Sequence, residues 1–403
     1  MLEYNPFAWE IHEDPYPIYR RLRDEAPVYH NPELGFYALS RWDDVWEATR
    51  DWPTYSSAQG ITIEHGKPQL PMMITMDPPD HERLRSLVSR AFTPKRIASL
   101  EGYVRARMRD YVAEVGDAEA FCGVEAIANR LPMDVISTLL GVPEGERERL
   151  RDLGNRMSFR DPGKPEPPPS ALAAMGEFMA ALPPLVDARR ENPGDDLISD
   201  LTRAEVERGD GAMDRLTQGE LVAFLQLLYF AGNETTAKLL SSSLYWLWRY
   251  PAQRQILIDD PASIDPAIEE LLRFDTPSQY QGRTATRDVE LHGVTIPKGA
   301  RVLLLTGAAN RDERHFQDPD RLDVRRELSQ HLSFGWGHHF CLGKSLARLE
   351  MRVALEGVLS RWPDYEIDEA GAERIHGGNV QRGFGVLPMR VGAGGAGDLR
   401  RAG

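Results

Sequence analysis

The sequence predicts a mainly α protein with a smaller strand-rich part, and three observations lead there. One uninterrupted helical run covers residues 217–249. Helix-type segments fill most of the remaining chain, while strand-type alternation is confined to short stretches near residues 28–39, 282–305 and 383–391. Hydrophobic residues make up 41% and charged residues 27%, a balance suited to a globular core rather than a disordered chain.

Taken in order, helices over 17–25 and 42–49 flank an alternating segment, 28–39, that reads as a hairpin. Helices follow at 80–91, 94–114, 126–140, 144–157 and 170–191. Between the last two lies the proline-rich loop 161–169, which cannot be helical because proline lacks an amide donor. The long run 217–249 precedes helices at 251–259 and 265–273, and short strands at 282–286, 289–291 and 301–305. A helix over 342–359 and a strand pair near 383–391 complete the ordered chain; residues 392–403 read as a flexible tail. Gly392, Gly394 and Gly397 match the spacing G-x-G-x-x-G, but a dinucleotide fingerprint must open a helix, and the chain ends six residues later.

The net charge of -14 argues against nucleic acid, since a phosphate-binding surface needs a basic face. The N-terminus has neither a basic start nor an apolar run, so no signal peptide is expected. The stretch Leu221 to Gly232 is too short to span a bilayer and is interrupted by Gln226. Cys122 and Cys341 are the only cysteines, which does not read as a disulfide framework. The expectation is a cytoplasmic, monomeric protein that binds no membrane.

The strongest chemical signal is the loop from His331 to Gly343. Gly335 and Gly337 permit tight or left-handed turns, and Gly343 keeps bulk away from the sulfur of Cys341. The helix that follows points unpaired amide donors and its positive dipole end at the sulfur, which favours a metal-ligating thiolate. A buried structural cysteine is the plainer alternative. Zinc held by His331, His338, His339 and Cys341 is another, but no C-x-x-C or H-x-x-x-H pair accompanies them.

Phe334, Gly337, His339, Cys341 and Gly343 meet the pattern F-x-x-G-x-[HR]-x-C-x-G, and here the sequence resembles the soluble bacterial cytochrome P450 family. Further motifs follow in the family's order, so the resemblance covers the chain from Asn5 to Val391. It implies a single domain over 1–391: a large helical part, a smaller β-containing lobe, and haem b between the long central helix and the cysteine-loop helix. It also implies Cys341 as the axial iron ligand and dioxygen (O2) as co-substrate.

The second motif is Ala231-Gly232-Asn233-Glu234-Thr235-Thr236, inside the long helix. Ala231 and Thr235 share a face one turn apart, and a mid-helix threonine can turn its hydroxyl to the carbonyl four residues back and bend the helix. A packing glycine beside β-branched residues is the bland alternative. The resemblance implies that Thr235 and Glu234 deliver protons on the oxygen side; Thr236 is a second candidate for the hydroxyl. Glu270 and Arg273 share a face three residues apart and, by resemblance, form a structural clamp with a later arginine, expected to be Arg321.

The resemblance assigns the haem propionates to His81, Arg85, Arg283 and His339, because buried carboxylates need charged donors and arginine's planar fork suits them. Ala231, Phe334 and Gly343 complete the implied cofactor contacts. By the same resemblance the substrate pocket is lined by residues 58–76, 227–231, 278–281 and Phe384, with loop 161–169 as a mobile lid. Apolar side chains there suggest a small, mostly apolar substrate. No flavin, nicotinamide or second metal motif is present, so NAD(P)H electrons are expected through a ferredoxin and its reductase, docking near Lys344, Arg90 and Arg348. A non-catalytic haem sensor and a peroxide-driven peroxygenase are the rival functions, and the Glu234-Thr235 pair argues against the second.

Overall fold

In the computed structural model, the described residues are 2–63, 72–89, 92–158, 167–207, 212–375 and 380–392. Loop residues 161–166, Arg90 and all but Gly392 of the glycine-rich tail lie outside them.

The long helix, Gln218–Arg249, is the axis of the helical part. A capping box starts it: the Thr217 hydroxyl accepts from the Glu220 N–H while the Glu220 carboxylate accepts from the Thr217 N–H. Most of its circumference is buried, by Arg130–Leu140 and Pro169–Glu191 on some sides and by the cysteine-loop helix, Lys344–Arg361, on another. Lys344–Arg361 packs in turn on Glu101–Val115 and Ile264–Phe274. Leu225, Leu228, Leu240, Leu349 and Leu355 belong to the large apolar core these helices share.

The β lobe is a five-stranded sheet in the order Val28–Asn31, Phe36–Leu39, Arg301–Leu304, Gln281–Ala285, Tyr55–Ser56. Phe36–Leu39 and Arg301–Leu304 run parallel; the other neighbours are antiparallel. Its faces bury Leu39, Ala285, Val302 and Leu304 in one smaller cluster and Phe36, Tyr280 and Leu303 in another.

Four differences from the sequence reading have local causes. The segment 94–114 is two helices, Pro94–Ser99 and Glu101–Val115, meeting at Leu100. The segment 126–140 opens as a π turn, Val124–Ala128, before Arg130–Leu140. The strands Phe384–Val386 and Pro388–Arg390 do not pair with each other, because Leu387 alone cannot reverse the chain. Phe384–Val386 pairs with Glu373–Arg374, while Pro388–Arg390 lies between Glu366–Ile367 and Ala120–Cys122. A helix at Leu197–Arg203, capped by Asp196 accepting from the Ser199 N–H, was not anticipated.

Among the described residues one helix, Pro169–Glu191, is long and apolar enough by length and composition to cross a membrane. It also packs a stripe of Ala171, Ala174, Phe178, Leu182 and Val186 against the protein.

Candidate active site

The cysteine loop closes on itself. The Cys341 N–H donates to the Phe334 carbonyl at 2.9 Å, and the Phe340 N–H to that of Gly337. Gly335 and Gly337 have φ of +65° and +68°, and at Gly337 a side chain would also meet the Thr49 carbonyl at 2.8 Å. A Cβ on Gly343 would meet nothing within 4 Å, so the space beside the sulfur is open. Cys341 lies deep in the protein yet retains accessible surface, which faces that space. Burial pushes its thiol up, against the lowering influence of the Gly343 N–H, Arg85, Lys344 and Arg348.

The loop is tied to the Glu-x-x-Arg helix. Ser333 donates to the Leu272 carbonyl at 2.8 Å, and Asn310 bridges the Leu332 N–H and the Ser333 hydroxyl. Glu269 receives two bonds from Arg348 at 2.7 Å and one contact from His331 at 3.1 Å, which together hold its carboxyl down at about 2 against burial. Behind them, Glu270 and Arg273 pair at 2.7 Å, both fully buried. Their third partner is Arg326, 3.2 Å from Glu270 and also bonded to the Gln317 carbonyl. Arg321 is not in the clamp: it is exposed and pairs loosely with Asp323 at 3.8 Å. The chain turns near Asp318 (φ +45°), which directs Arg321 outward and brings Arg326 back underneath.

On the long helix, the Thr235 hydroxyl donates to the Ala231 carbonyl at 2.7 Å, the bond the sequence suggested. The helix remains continuous through it. Leu227, Ala231, Glu234, Thr235 and Lys238 keep accessible surface while Leu228, Asn233, Thr236 and Ala237 are buried, so one stripe of this core helix faces open space. Thr236 is buried on the other side, facing Glu350 of the cysteine-loop helix. Glu350 is buried and its carboxyl is pushed well above the usual range by that burial.

His81, Arg85, Arg283 and His339 converge. The rings of His81 and His339 lie 4.4 Å apart, Arg85 donates to the Phe340 carbonyl at 2.7 Å, and His339 contacts the Ser57 hydroxyl at 3.2 Å. Burial beside Arg85, Arg283 and one another holds both imidazoles neutral, His81 at about 4 and His339 at about 2. Burial and Arg301 bring Arg283 down to about 10. Among the described residues neither Arg85 nor Arg283 has a carboxylate at ion-pair distance, and neither ring nitrogen of His81 has a hydrogen-bond partner. Asp77, bound by Ser56 and the Ser57 N–H, is the carboxylate whose field reaches Arg283. A buried group of cations and donors short of acids is what two propionates require, so the residues fit haem.

Ser57 and Arg301 were missed from sequence. Arg301 is fully buried in a strand beside Arg283, and a charged residue opening a strand of leucines was its available signal. A zinc cluster does not form among the described residues. His331 goes to Glu269, His338 to Glu82 and His339 to Ser57.

The pocket expectations divide. Ile63 and Met73 are core, and Phe384 is buried against Tyr245 with Arg374 over its ring, so it does not line an open space. The Nε2 groups of Gln279 and Gln281 donate to the Thr276 carbonyl and the Ser278 hydroxyl, while the buried Gln279 Oε1 has no hydrogen-bond partner. Leu227 and Ala231 remain on the open stripe.

A family model described as cytochrome P450 matches residues 264–372. Cytochrome P450 123 of Mycobacterium tuberculosis is 44% identical over 96% of this chain and 96% of its own. The vitamin D(3) 25-hydroxylase of Pseudonocardia autotrophica is 36% identical over 97% of each. Among solved structures, cytochrome P450 CYP109Q5 from Chondromyces apiculatus superposes with a TM-score of 0.89 at 32% identity, covering 98% of this chain and 100% of that one. With the cysteine loop, the Glu-x-x-Arg clamp and the open stripe of the long helix in place, these likenesses leave one reading: the chain belongs to the cytochrome P450 family.

Proposed function

We propose that this P450 monooxygenase inserts one oxygen atom of O2 into a small, mostly apolar organic substrate, with Cys341 as the axial ligand of its haem. The family's cofactor is haem b (iron protoporphyrin IX), which, when bound, supplies oxygen activation, with NAD(P)H electrons arriving through redox partners. Cys341 would hold the iron, and His81, Arg85, Arg283 and His339 the propionates. Apolar Leu227 and Ala231 on the open stripe support an apolar substrate. A relative named vitamin D(3) 25-hydroxylase supports a hydroxylation of this kind. A ferredoxin with its reductase remains the proposed electron source.

The observation that carries the reading is the pair of opposed threonines. Thr235 turns its hydroxyl along the open stripe, where with Glu234 it can hold a water and pass it a proton. Thr236 is buried on the core side, beside Glu350. Thr235→Ala should therefore bind substrate normally but divert NAD(P)H electrons into hydrogen peroxide, whereas Thr236→Ala should stay coupled. Measuring product and peroxide per NAD(P)H consumed tests this. Unchanged coupling in Thr235→Ala would remove that residue from proton delivery.

A further inference from the structure

We propose that a stack of aromatic rings running from the cysteine loop to the protein surface drains oxidising equivalents away from the haem, a protective function separate from substrate oxidation and resting on the haem-thiolate reading above. Phe340, next to the ligand cysteine, packs its ring 5.0 Å from Trp336. Trp336 lies 4.8 Å from Trp46, on the helix Trp42–Arg50, and Trp46 lies 6.3 Å from Trp42 with the rings 11° from parallel. His315, exposed, stacks on Trp42 at 3.8 Å. Trp46 and Trp336 are half-buried and Trp42 is buried beneath the exposed His315, so the row ends at the surface.

Packing alone would be served by any large apolar ring. Three indoles in sequence add a chemical property: indole gives up one electron far more readily than a benzene ring and does not accept one at biological potentials. The row can therefore carry holes outward, but it cannot carry reducing electrons inward. Neighbouring rings at these separations are close to van der Waals contact, the condition for rapid one-electron exchange.

The balance is as follows. When substrate is absent, hydrogen peroxide would supply two oxidising equivalents at the haem, and its complete reduction to two molecules of water would require two electrons and two protons from the protein side. Trp336 returns the electrons one at a time, is refilled by Trp46, and Trp46 by Trp42. A small soluble one-electron reductant such as ascorbate then restores the outer indoles, supplying two electrons and two protons in all. Without it, an outer indole gives up both electrons, adds water with loss of two protons and is recovered as an oxygenated tryptophan, so one peroxide and one tryptophan give one hydroxytryptophan and one water.

The test uses the haem-loaded protein without substrate, challenged with hydrogen peroxide, with and without ascorbate. Readouts are radical signals by rapid-freeze electron paramagnetic resonance, oxygenated residues by peptide mass spectrometry, and the rate of haem bleaching. Wild type should accumulate oxygen on Trp46 and Trp42, and ascorbate should slow bleaching several-fold. Trp46→Phe should abolish oxidation of Trp42, raise it at Trp336, and remove most of the ascorbate protection. Trp46→Tyr, still oxidisable, should restore both. Trp336→Phe interrupts the first step and should give the same loss of Trp42 oxidation if Trp46→Phe fails to fold. Oxidation of Trp42 unchanged in both phenylalanine variants would overturn the proposal, as would oxidation in wild type no greater at Trp46 and Trp42 than at the exposed Trp9, 51% accessible. Failure of the haem-thiolate reading is separable, because it would already appear in the reduced carbon monoxide spectrum before any peroxide is added.

Discussion

At the scale of single residues, the propionate group makes the sharpest energetic claim. Arg283 is buried and, among the described residues, its guanidinium donates to the Gly282 carbonyl alone, an arrangement that costs free energy until an anion is supplied. Replacing Arg283 or Arg85 by Ala should leave a bound propionate short of a charged donor and weaken haem retention by about 2–5 kcal/mol. Haem transfer to apomyoglobin measures this; transfer as slow as from wild type in both variants would mean the propionates lie elsewhere. The grouping of these residues was expected from the family resemblance, since each donor taken alone reads as a surface charge. The relation between Thr235 and Thr236 was not, since adjacent residues on a helix point about 100° apart and only the packing partner, here Glu350, says which one faces the core. Ser57 gave no signal at all: its role comes from a loop brought to His339 across most of the chain.

At the scale of elements, the cysteine loop owes its shape to the helix Ile264–Phe274, and the clamp beneath is where sequence spacing misled. Glu270 and Arg273 were readable as a helical i,i+3 pair, but the third arginine sits in an irregular segment with no period to fix its direction. Arg326→Ala should leave the buried Glu270 carboxylate underpaired and cost roughly 3–5 kcal/mol. Arg321→Ala, at an exposed position, should fall within about ±0.5 kcal/mol of wild type. Denaturant unfolding of the two variants checks the assignment, and equal losses would contradict it. The β lobe shows the complementary lesson. Alternation found the strands 28–31 and 36–39, while the two-residue strand Tyr55–Ser56 and the switch between sheets at Leu387 depend on distant partners that no local pattern records.

At the scale of the whole molecule, buried ion networks join the two parts of the fold. Asp275, fully buried, accepts from Tyr16, Trp246 and Arg382, linking the N-terminal segment, the long helix and the strand region near residue 382. Despite burial, Arg382 and Arg374 bring its carboxyl down to about 2. Because the folded value lies below the unfolded one of about 3.9, this stabilisation is present above that pH and is lost as pH falls towards 2. The stability gap between wild type and Asp275→Asn should therefore stay level from neutral pH to about 5 and narrow as pH falls from about 4 towards 2; a gap independent of pH across that window would rule out the ionised carboxylate as its source. The acidic surface, net charge -14, also bears on the partner. Arg348 is neutralised by Glu269, so Lys344, resting over the Phe340 ring at 3.8 Å, is the residue to test for steering of the proposed acidic ferredoxin. Lys344→Glu should slow reduction by the carrier without altering substrate binding, and stopped-flow rates independent of that change would place docking elsewhere. Most of this architecture rests on one ligand, and the most direct measurement is the optical spectrum of the reduced, carbon monoxide-bound protein. Wild type and Cys122→Ser should show the strongly red-shifted Soret band of thiolate ligation, and Cys341→Ser should lose it. A wild-type band at the position of a histidine-ligated globin would contradict the assignment of Cys341.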